Sequence, residues 1–532
     1  MSECDTGCAL PQLPEAALCS RHASGAENPS VLFVAMQSSI HTARWIALAT
    51  DLGYQLHIFP IDHWPANPDL SGVTLHRPEL PPEKPAALTE RPAAPPEHRW
   101  RARAARFGRM ARYHPADAAR LLAARALRRT ENMARRAARM TIDAPHYLME
   151  AVSLPASEPA HPKAIAEISA DDAGCAPHPQ LEERPYLVSA ATLGPTEHII
   201  GGQIRLGESA NVSPALYGPW VLARLIRDLN PTLIHSMEFQ HAGYLVLKTK
   251  EIYGLGFPPW LATNWGSDIF YFRRFDDHAA QLRRLLSAID YYSCECRRDV
   301  RLARELGYRG PVLPILPNSG GFNLNHVRSL RKLGPTSQRK IIMVKGYHHF
   351  AGRAMTSIKV LETFADRLQN YEIVLFSVSS EPREAALRLS AKKILNIRII
   401  DLATHDEILS FFGRARLYMG ISISDAISTS SLEAMAMGAF PIQTNTSCCD
   451  EWFEDGKGGF IVPPDDFETI CDRFGRALID DALVDRAADV NWKTVEARLD
   501  FRVLRGEVDS FYRMIFDGSL IAAHAASAGD PE

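Results

Sequence analysis

VLFVAMQSSIHTARWIALATDLGYQLHIFPI, residues 31–61, decides the fold. VLFVAM (31–36) is a short apolar run, and the polar loop Gln37-Ser38-Ser39 ends it. From His41 to Leu52 the apolar residues Trp45, Ile46 and Ala49 fall at helical spacing, and Gly53 supplies the stop. YQLHIFPI (54–61) is a second apolar run. Strand, helix, strand at this spacing is a βαβ unit, and consecutive units of this kind build a parallel sheet.

Working outward, the same grammar recurs twice. A first series continues with TLIHSM (232–237), WLATNW (260–265), DYYSCEC (290–296) and PVLPIL (311–316). A second runs through KIIMVKG (340–346), EIVLFSV (372–378), IRIIDLA (397–403), RLYMGIS (416–422), FPIQTN (440–445) and FIVPP (460–464). Helical stretches such as Thr356 to Leu368 and Asp406 to Gly413 separate them. The reading is α/β: two tandem doubly wound, Rossmann-like domains, 29–318 and 319–500, joined near LPNSGGFN (316–323) with a cleft between them. A helix over 501–517 is expected to cross back onto the first domain. Residues 1–28 are read as disordered and 518–532 as a loose tail.

The first domain is interrupted over 77–185. Residues 77–97 are proline-rich and read as an extended linker. Residues 99–140 carry thirteen arginines against Asp117 and Glu131, a local charge of about +11, in an alanine-rich, helix-favouring context. Trp100, Phe107, Met110, Leu121, Leu122 and Met133 add apolar side chains, so this insertion suits peripheral attachment to an anionic membrane surface; the plainer reading is a solvated arginine-rich helical insertion.

Composition excludes several classes. The 532 residues carry 59 basic and 62 acidic side chains, a net charge of −3, which argues against a dedicated nucleic-acid binder. No apolar run of about 18 residues is present to span a bilayer. The N-terminus lacks the charged and apolar blocks of a secretory signal. The nine cysteines show no C-x-x-C pair and no zinc spacing, as expected of a reduced cytoplasmic protein.

The chemistry lies in SISDAISTSSLEAMAMGAFPIQTNTSCCDEWFEDGKGGFIVPPDD (422–466). A buried strand ends near Asp425, and the hydroxyl-rich loop Ala426–Ser431 leads into a helix starting near Leu432. Free N–H groups at such a helix N-terminus, around Thr429, Ser430, Ser431 and Leu432, suit a diphosphate. Glu433 follows Asp425 by eight positions, so both carboxylates can face one cavity, where a carboxylate accepts hydrogen bonds from vicinal sugar hydroxyls.

This segment resembles the signature of family 4 retaining glycosyltransferases, group 1 enzymes of GT-B fold. LEAMAMGAFPI (432–442) and GKGGFIVPPDD (456–466) match the motif, with Asp425 where the family's first glutamate stands. SIHTARWI (39–46), NWGSD (264–268) and LPNSGGFN (316–323) extend the likeness over about 30–75 and 195–515. The resemblance implies a nucleotide-sugar donor held mostly by the second domain, with Glu433 on the ribose, Asp425 on the hexose, and Lys345 and Arg353 of VKGYHHFAGRA (344–354) on the phosphates. It implies no metal and no cofactor beyond the nucleotide sugar as co-substrate. On the acceptor side it points to a histidine at a first-domain strand end, here His241; the loop with Ser38, Ser39 and His41 is expected to face the cleft because it follows the first strand, and Trp265 and Asp268 of NWGSD are candidates to stack on and orient the acceptor. The expected acceptor is a lipid-linked or cell-envelope glycan. A soluble acceptor, or a catalytically lapsed sugar-nucleotide-binding partner protein, are the alternatives. Partners are then a nucleotide sugar, a glycan acceptor and an anionic membrane met through 99–140, with no nucleic acid.

Overall fold

In the computed structural model, residues 28–78, 196–200 and 214–528, apart from Leu333 and Leu402, are described. The readings for 1–27, 79–195 and 201–213, with them the arginine-rich stretch 99–140, lie outside the described residues.

The apolar runs form two parallel sheets, each buried on both faces, which is why they read as continuous rather than alternating. The first sheet holds β1 (Ser30–Ala35), β2 (Gln55–Pro60), β3 (Thr74–Pro78), β4 (Thr196–Ile200), β5 (Leu233–Met237), β6 (Trp260–Thr263) and β7 (Tyr291–Ser293), in the order β4-β3-β2-β1-β5-β6-β7. The second holds β8 (Ile341–Lys345), β9 (Glu372–Phe376), β10 (Asn396–Ile400), β11 (Ala415–Gly420), β12 (Phe440–Thr444) and β13 (Phe460–Val462), in the order β10-β9-β8-β11-β12-β13. Each order reverses once, between β1 and β5 and between β8 and β11, leaving a crevice at the carboxyl ends of those strands. The chain therefore has the two tandem doubly wound domains of the GT-B architecture.

The structure corrects four local readings. PVLPIL forms no strand: its contact with the sheet is a single bridge from Val312 to Tyr292, since Pro311 and Pro314 lack ladder donors. The strand Thr74–Pro78 runs into the segment read as linker, and β4, beyond the 77–185 interruption, pairs with it in parallel. The helix that carries Glu433 begins at Thr429, three residues early, with Ser428 at the N-cap. The tail contains a helix, Ser519–Ala528, whose first residue donates its N–H to Asp517 Oδ1 at 2.8 Å.

The domains are tied along one edge. Phe322 N–H donates to the Leu499 carbonyl (2.6 Å) and Phe501 N–H to the Phe322 carbonyl (3.0 Å). The helix Phe501–Phe516 then lies against the helix Ile40–Ala49 of the first domain. There the Trp45 indole N–H donates to the Tyr512 hydroxyl at 2.9 Å, inside a ring cluster with His235 and Phe511. A buried bond of this kind is worth about 1 kcal/mol beyond the area it covers.

Candidate active site

Between the carboxyl ends of the two sheets lies a cavity of about 320 Å³. Residues from both domains line it, among them His41, Arg44, Trp265 and Glu295 from the first and Lys345, His349, Asp425, Thr429, Ser430, His405 and Glu433 from the second.

Lys345 is the last residue of β8, at the reversal point of the second sheet, so topology alone aims it at the crevice. Asp425 follows β11 across the same reversal and is half-buried; its Oδ1 accepts the N–H of Ala426 at 3.0 Å. Burial pushes its carboxyl up, and the charge of Lys345 works against that shift. Glu433 lies on the inward face of the helix Thr429–Met437 and is 5% exposed. Burial would raise its carboxyl too, but His405, whose Nε2 lies 2.6 Å from Oε1, together with Arg44 and Lys345, holds it below the usual carboxylate range. Glu433 is thus kept as an anion, ready to accept from hydroxyls.

The helix start sets where an anion can sit. The N–H groups of Ser431 and Leu432 both donate to the Ser428 carbonyl, at 2.9 and 3.2 Å. Ser431 Oγ donates to Gln443 Oε1 at 2.8 Å, and Leu432 is wholly buried. These two belong to the packing of the helix and do not line the cavity. The N–H groups of Thr429 and Ser430 have no carbonyl four residues back within the helix, and both residues face the cavity. Of the four residues expected at the helix start, Thr429 and Ser430 therefore face the cavity and Ser431 and Leu432 do not.

The second expected cation does not reach the cavity. The Arg353 guanidinium donates to the carbonyls of His349 (2.8 Å) and Gly352 (2.7 Å), bracing the loop after β8, and it is absent from the lining. Arg44 takes that place from the opposite domain, with Nη1 also 3.3 Å from the Ser319 carbonyl. It lies within SIHTARWI, one helical turn after His41, so helical spacing alone could have found it.

The first-domain candidates divide. His41 lines the cavity edge-on to the Trp265 ring, at 5.4 Å between centroids. Burial, Arg44 and Lys345 lower its imidazole to about 3, so it is neutral. The Trp265 indole N–H is buried with no partner, a donor left for a ligand. Ser38 and Ser39 do not face the cavity. Ser38 donates to Asp62 by hydroxyl and backbone, and Ser39 caps the next helix by accepting the His41 N–H at 3.1 Å. Asp268 points away as well, its carboxylate accepting the N–H groups of Trp265 (2.9 Å) and Phe239 (3.1 Å), which ties β6 to β5. His241 is outside the lining; its Nδ1 lies 3.0 Å from Glu238 Oε2, and although burial works the other way, Glu238 holds its pKa raised. His235 is buried between Tyr512 and Thr263.

Besides Arg44, two further first-domain residues escaped the sequence reading. Glu295, after β7, is 7% exposed, accepts the Asn318 N–H at 2.6 Å, and faces the cavity. Burial raises its carboxyl well above the usual range, and Asp425 across the cleft raises it further. Gly266 has φ +94°, and a Cβ there would lie 2.2 Å from Ala426 N, so glycine lets the NWGSD turn touch the loop that carries Asp425. Ser424 and Ser267 close the same contact at 2.9 Å.

Residues 340–480 match the family model described as group 1 glycosyl transferases. The capsular polysaccharide biosynthesis glycosyltransferase CapM of Staphylococcus aureus is 22% identical over 175 residues, 32% of this chain and 44% of that protein. The chain thus spans less than half the length of this curated relative. Among solved structures, sucrose-phosphate synthase of Thermosynechococcus elongatus aligns at TM-score 0.47 and 15% identity, over 57% of this chain and 79% of its own. Anabaena HepE with UDP and glucose aligns at TM-score 0.46 and 14% identity, over 59% and 85%. At these identities neither structure assigns a role to a residue here. The stretch that matches the group 1 glycosyl transferase model lies within the second domain.

Proposed function

We propose, starting from the group 1 glycosyl transferase match at 340–480, that the chain is a retaining glycosyltransferase of the family 4 type. It would move a sugar from a nucleoside-diphosphate donor to a lipid-linked or cell-envelope glycan at the cytoplasmic face of a membrane. The observation that carries this reading is the convergence of Lys345, Glu433, Asp425 and the Thr429–Ser430 N–H groups on one cavity. In that arrangement Glu433 accepts from the ribose hydroxyls, and the two N–H groups with Lys345 and Arg44 hold the diphosphate. As the bond from anomeric carbon to phosphate breaks, charge grows on the leaving phosphate. Cations and dipoles already fixed there stabilise that charge without reorganising. The acceptor hydroxyl then attacks on the face the phosphate leaves, giving its proton to a phosphate oxygen, so no protein base is required. Asp425 and the neutral His41, with the Trp265 indole N–H, orient the sugar.

The acceptor class draws support from the printed role of CapM in capsular polysaccharide biosynthesis and from the arginine-rich run 99–140. Among the described residues no helix is long and apolar enough to cross a membrane. The test is incubation with a panel of nucleotide sugars and glycan acceptors, reading the product's anomeric configuration by proton NMR. Retention supports the proposal; inversion, or no turnover with any donor, contradicts it. Cosedimentation with anionic vesicles that is lost in high salt supports the membrane-bound acceptor, and no binding favours a soluble one.

A further inference from the structure

Cys296 and Cys448 belong to opposite domains and meet. Cys296 precedes the helix Arg297–Glu305, and Cys448 lies in the turn after β12; they are 1% and 5% exposed and share a small apolar cluster with Ala426. Glu451 brings a carboxylate, and its oxygen and the two Sγ atoms all lie within 4.8 Å of one another. Among the described residues no other group of histidine, cysteine and carboxylate side chains is so placed.

We propose that Cys296, Cys448 and Glu451 bind a zinc ion, or another thiophilic divalent ion of that class, as a clasp between the domains, with a water completing the tetrahedron. Tetrahedral zinc with its usual bond lengths sets its sulfur ligands about 3.8 Å apart and a carboxylate oxygen about 3.6 Å from each. From their present spacing the three atoms need to close by about 1.2 Å at most. Binding releases two thiol protons to solvent. Two thiolates and a carboxylate around a divalent ion leave one net negative charge, near the Arg298 guanidinium, which is itself paired with Asp299 (Nε to Oδ1, 2.8 Å). The Arg297 N–H donates to Glu451 Oε1 at 2.8 Å, fixing the carboxylate as outer partners of metal ligands do. Cys448 holds φ at +46°, a left-handed conformation rare for a residue with a side chain.

The clasp would stand apart from the cavity, since none of its three ligands lines it. It adjoins the loop that matters, however. Arg298 donates to the carbonyls of Asp425 and Thr446, each at 2.8 Å, so it holds the second domain's catalytic loop from the first. The ion would fix the domain junction beside that hold.

The experiment uses full-length protein, reduced and stripped of metal with a chelator, then titrated with Co2+ as a spectroscopic stand-in. Stoichiometric binding is expected, with thiolate-to-cobalt charge-transfer absorption that Zn2+ abolishes by displacement. Cys296→Ser and Cys448→Ser should each remove that absorption, Glu451→Gln should weaken binding about tenfold or more, and Cys471→Ser should leave it unchanged. Circular dichroism checks each variant for folding, and if the serine variants unfold, the half-buried Glu451→Gln decides. The proposal is overturned if no charge-transfer band forms or if the band survives the double Cys296→Ser/Cys448→Ser change. It is overturned equally if thiol counting finds the two sulfurs bonded to each other.

Discussion

The two domains share one doubly wound plan, with β4 as an extra edge strand in the first, and use its crevice differently. In the second, the reversal between β8 and β11 presents Lys345 from one side and Asp425 from the other, with Glu433 eight residues on. In the first, the equivalent crevice between β1 and β5 presents His41 and Arg44 on the β1 side. On its β5 side, His235 is sealed by Tyr512 of the helix Phe501–Phe516 and by Thr263. Further first-domain residues reach the cavity from the outer strands, among them Trp265 after β6 and Glu295 after β7. Topology gives each domain a crevice. Whether it holds an anion depends on which side chains stand at the strand ends, and only the second domain combines a lysine with a helix N-terminus there.

That contrast can be broken most severely at Lys345. Lys345→Met keeps much of the side chain's length and removes the charge, and we expect transfer to fall by about 10²–10³-fold, the scale seen when one preorganised stabilising group is lost. Steady-state kinetics with the preferred donor measures this. Near-normal turnover would mean that the first domain, not the second, handles the leaving group.

Gly266→Ala probes the contact between the domains rather than either crevice. The new Cβ meets Ala426 N at 2.2 Å on a backbone with φ +94°, so a cost on the order of 3 kcal/mol is expected in urea denaturation. Nucleoside diphosphate affinity should fall much less than transfer, because the second domain's seat stays intact. Equal losses would show that the nucleotide needs both domains as much as the chemistry does.

The smallest effect is expected at Glu295, where the first domain alone is altered. Its raised carboxyl holds a proton more tightly folded than unfolded, so the stability it contributes is present in acid. That contribution is lost as pH rises from the ordinary carboxylate range through the raised value. Glu295→Gln keeps an oxygen for the Asn318 N–H and removes the titration. The variant should melt at higher temperature than the parent at pH 8 and alongside it at pH 4. A parent-like melt at both pH values would place Glu295 in contact with solvent.

The contrast also explains what could be read from the chain. Parallel strands packed into a sheet appear as bare apolar runs, so eleven of the thirteen were visible as VLFVAM, KIIMVKG and their like, whereas β3 and β4 were hidden by the interruption they flank. The second domain's cleft residues sit close along the chain or at a strand end, so Lys345, Asp425 and Glu433 were legible. Ser431 and Leu432 misled because hydroxyl richness does not reveal which residue begins the helix. Arg353 misled because a cation near a phosphate motif can equally well brace its own loop. Glu295 carried no signal: it faces the cavity only because β7 ends there, and its partner Asn318 lies beyond a further helix. Cys296 and Cys448 were unreadable as a pair for the same reason, since their proximity depends on how the domains meet.

The central claim is that the second domain seats a nucleoside diphosphate through Lys345, Glu433 and the start of the helix Thr429–Met437. Calorimetric titration of the intact protein, and of Glu433→Ala, with matched nucleosides and nucleoside diphosphates tests it most directly. One diphosphate is expected to bind at least about tenfold tighter than its nucleoside, and Glu433→Ala to weaken both by about 10- to 100-fold through loss of the ribose contacts. Binding of no diphosphate, or equal affinities for parent and variant, would contradict it.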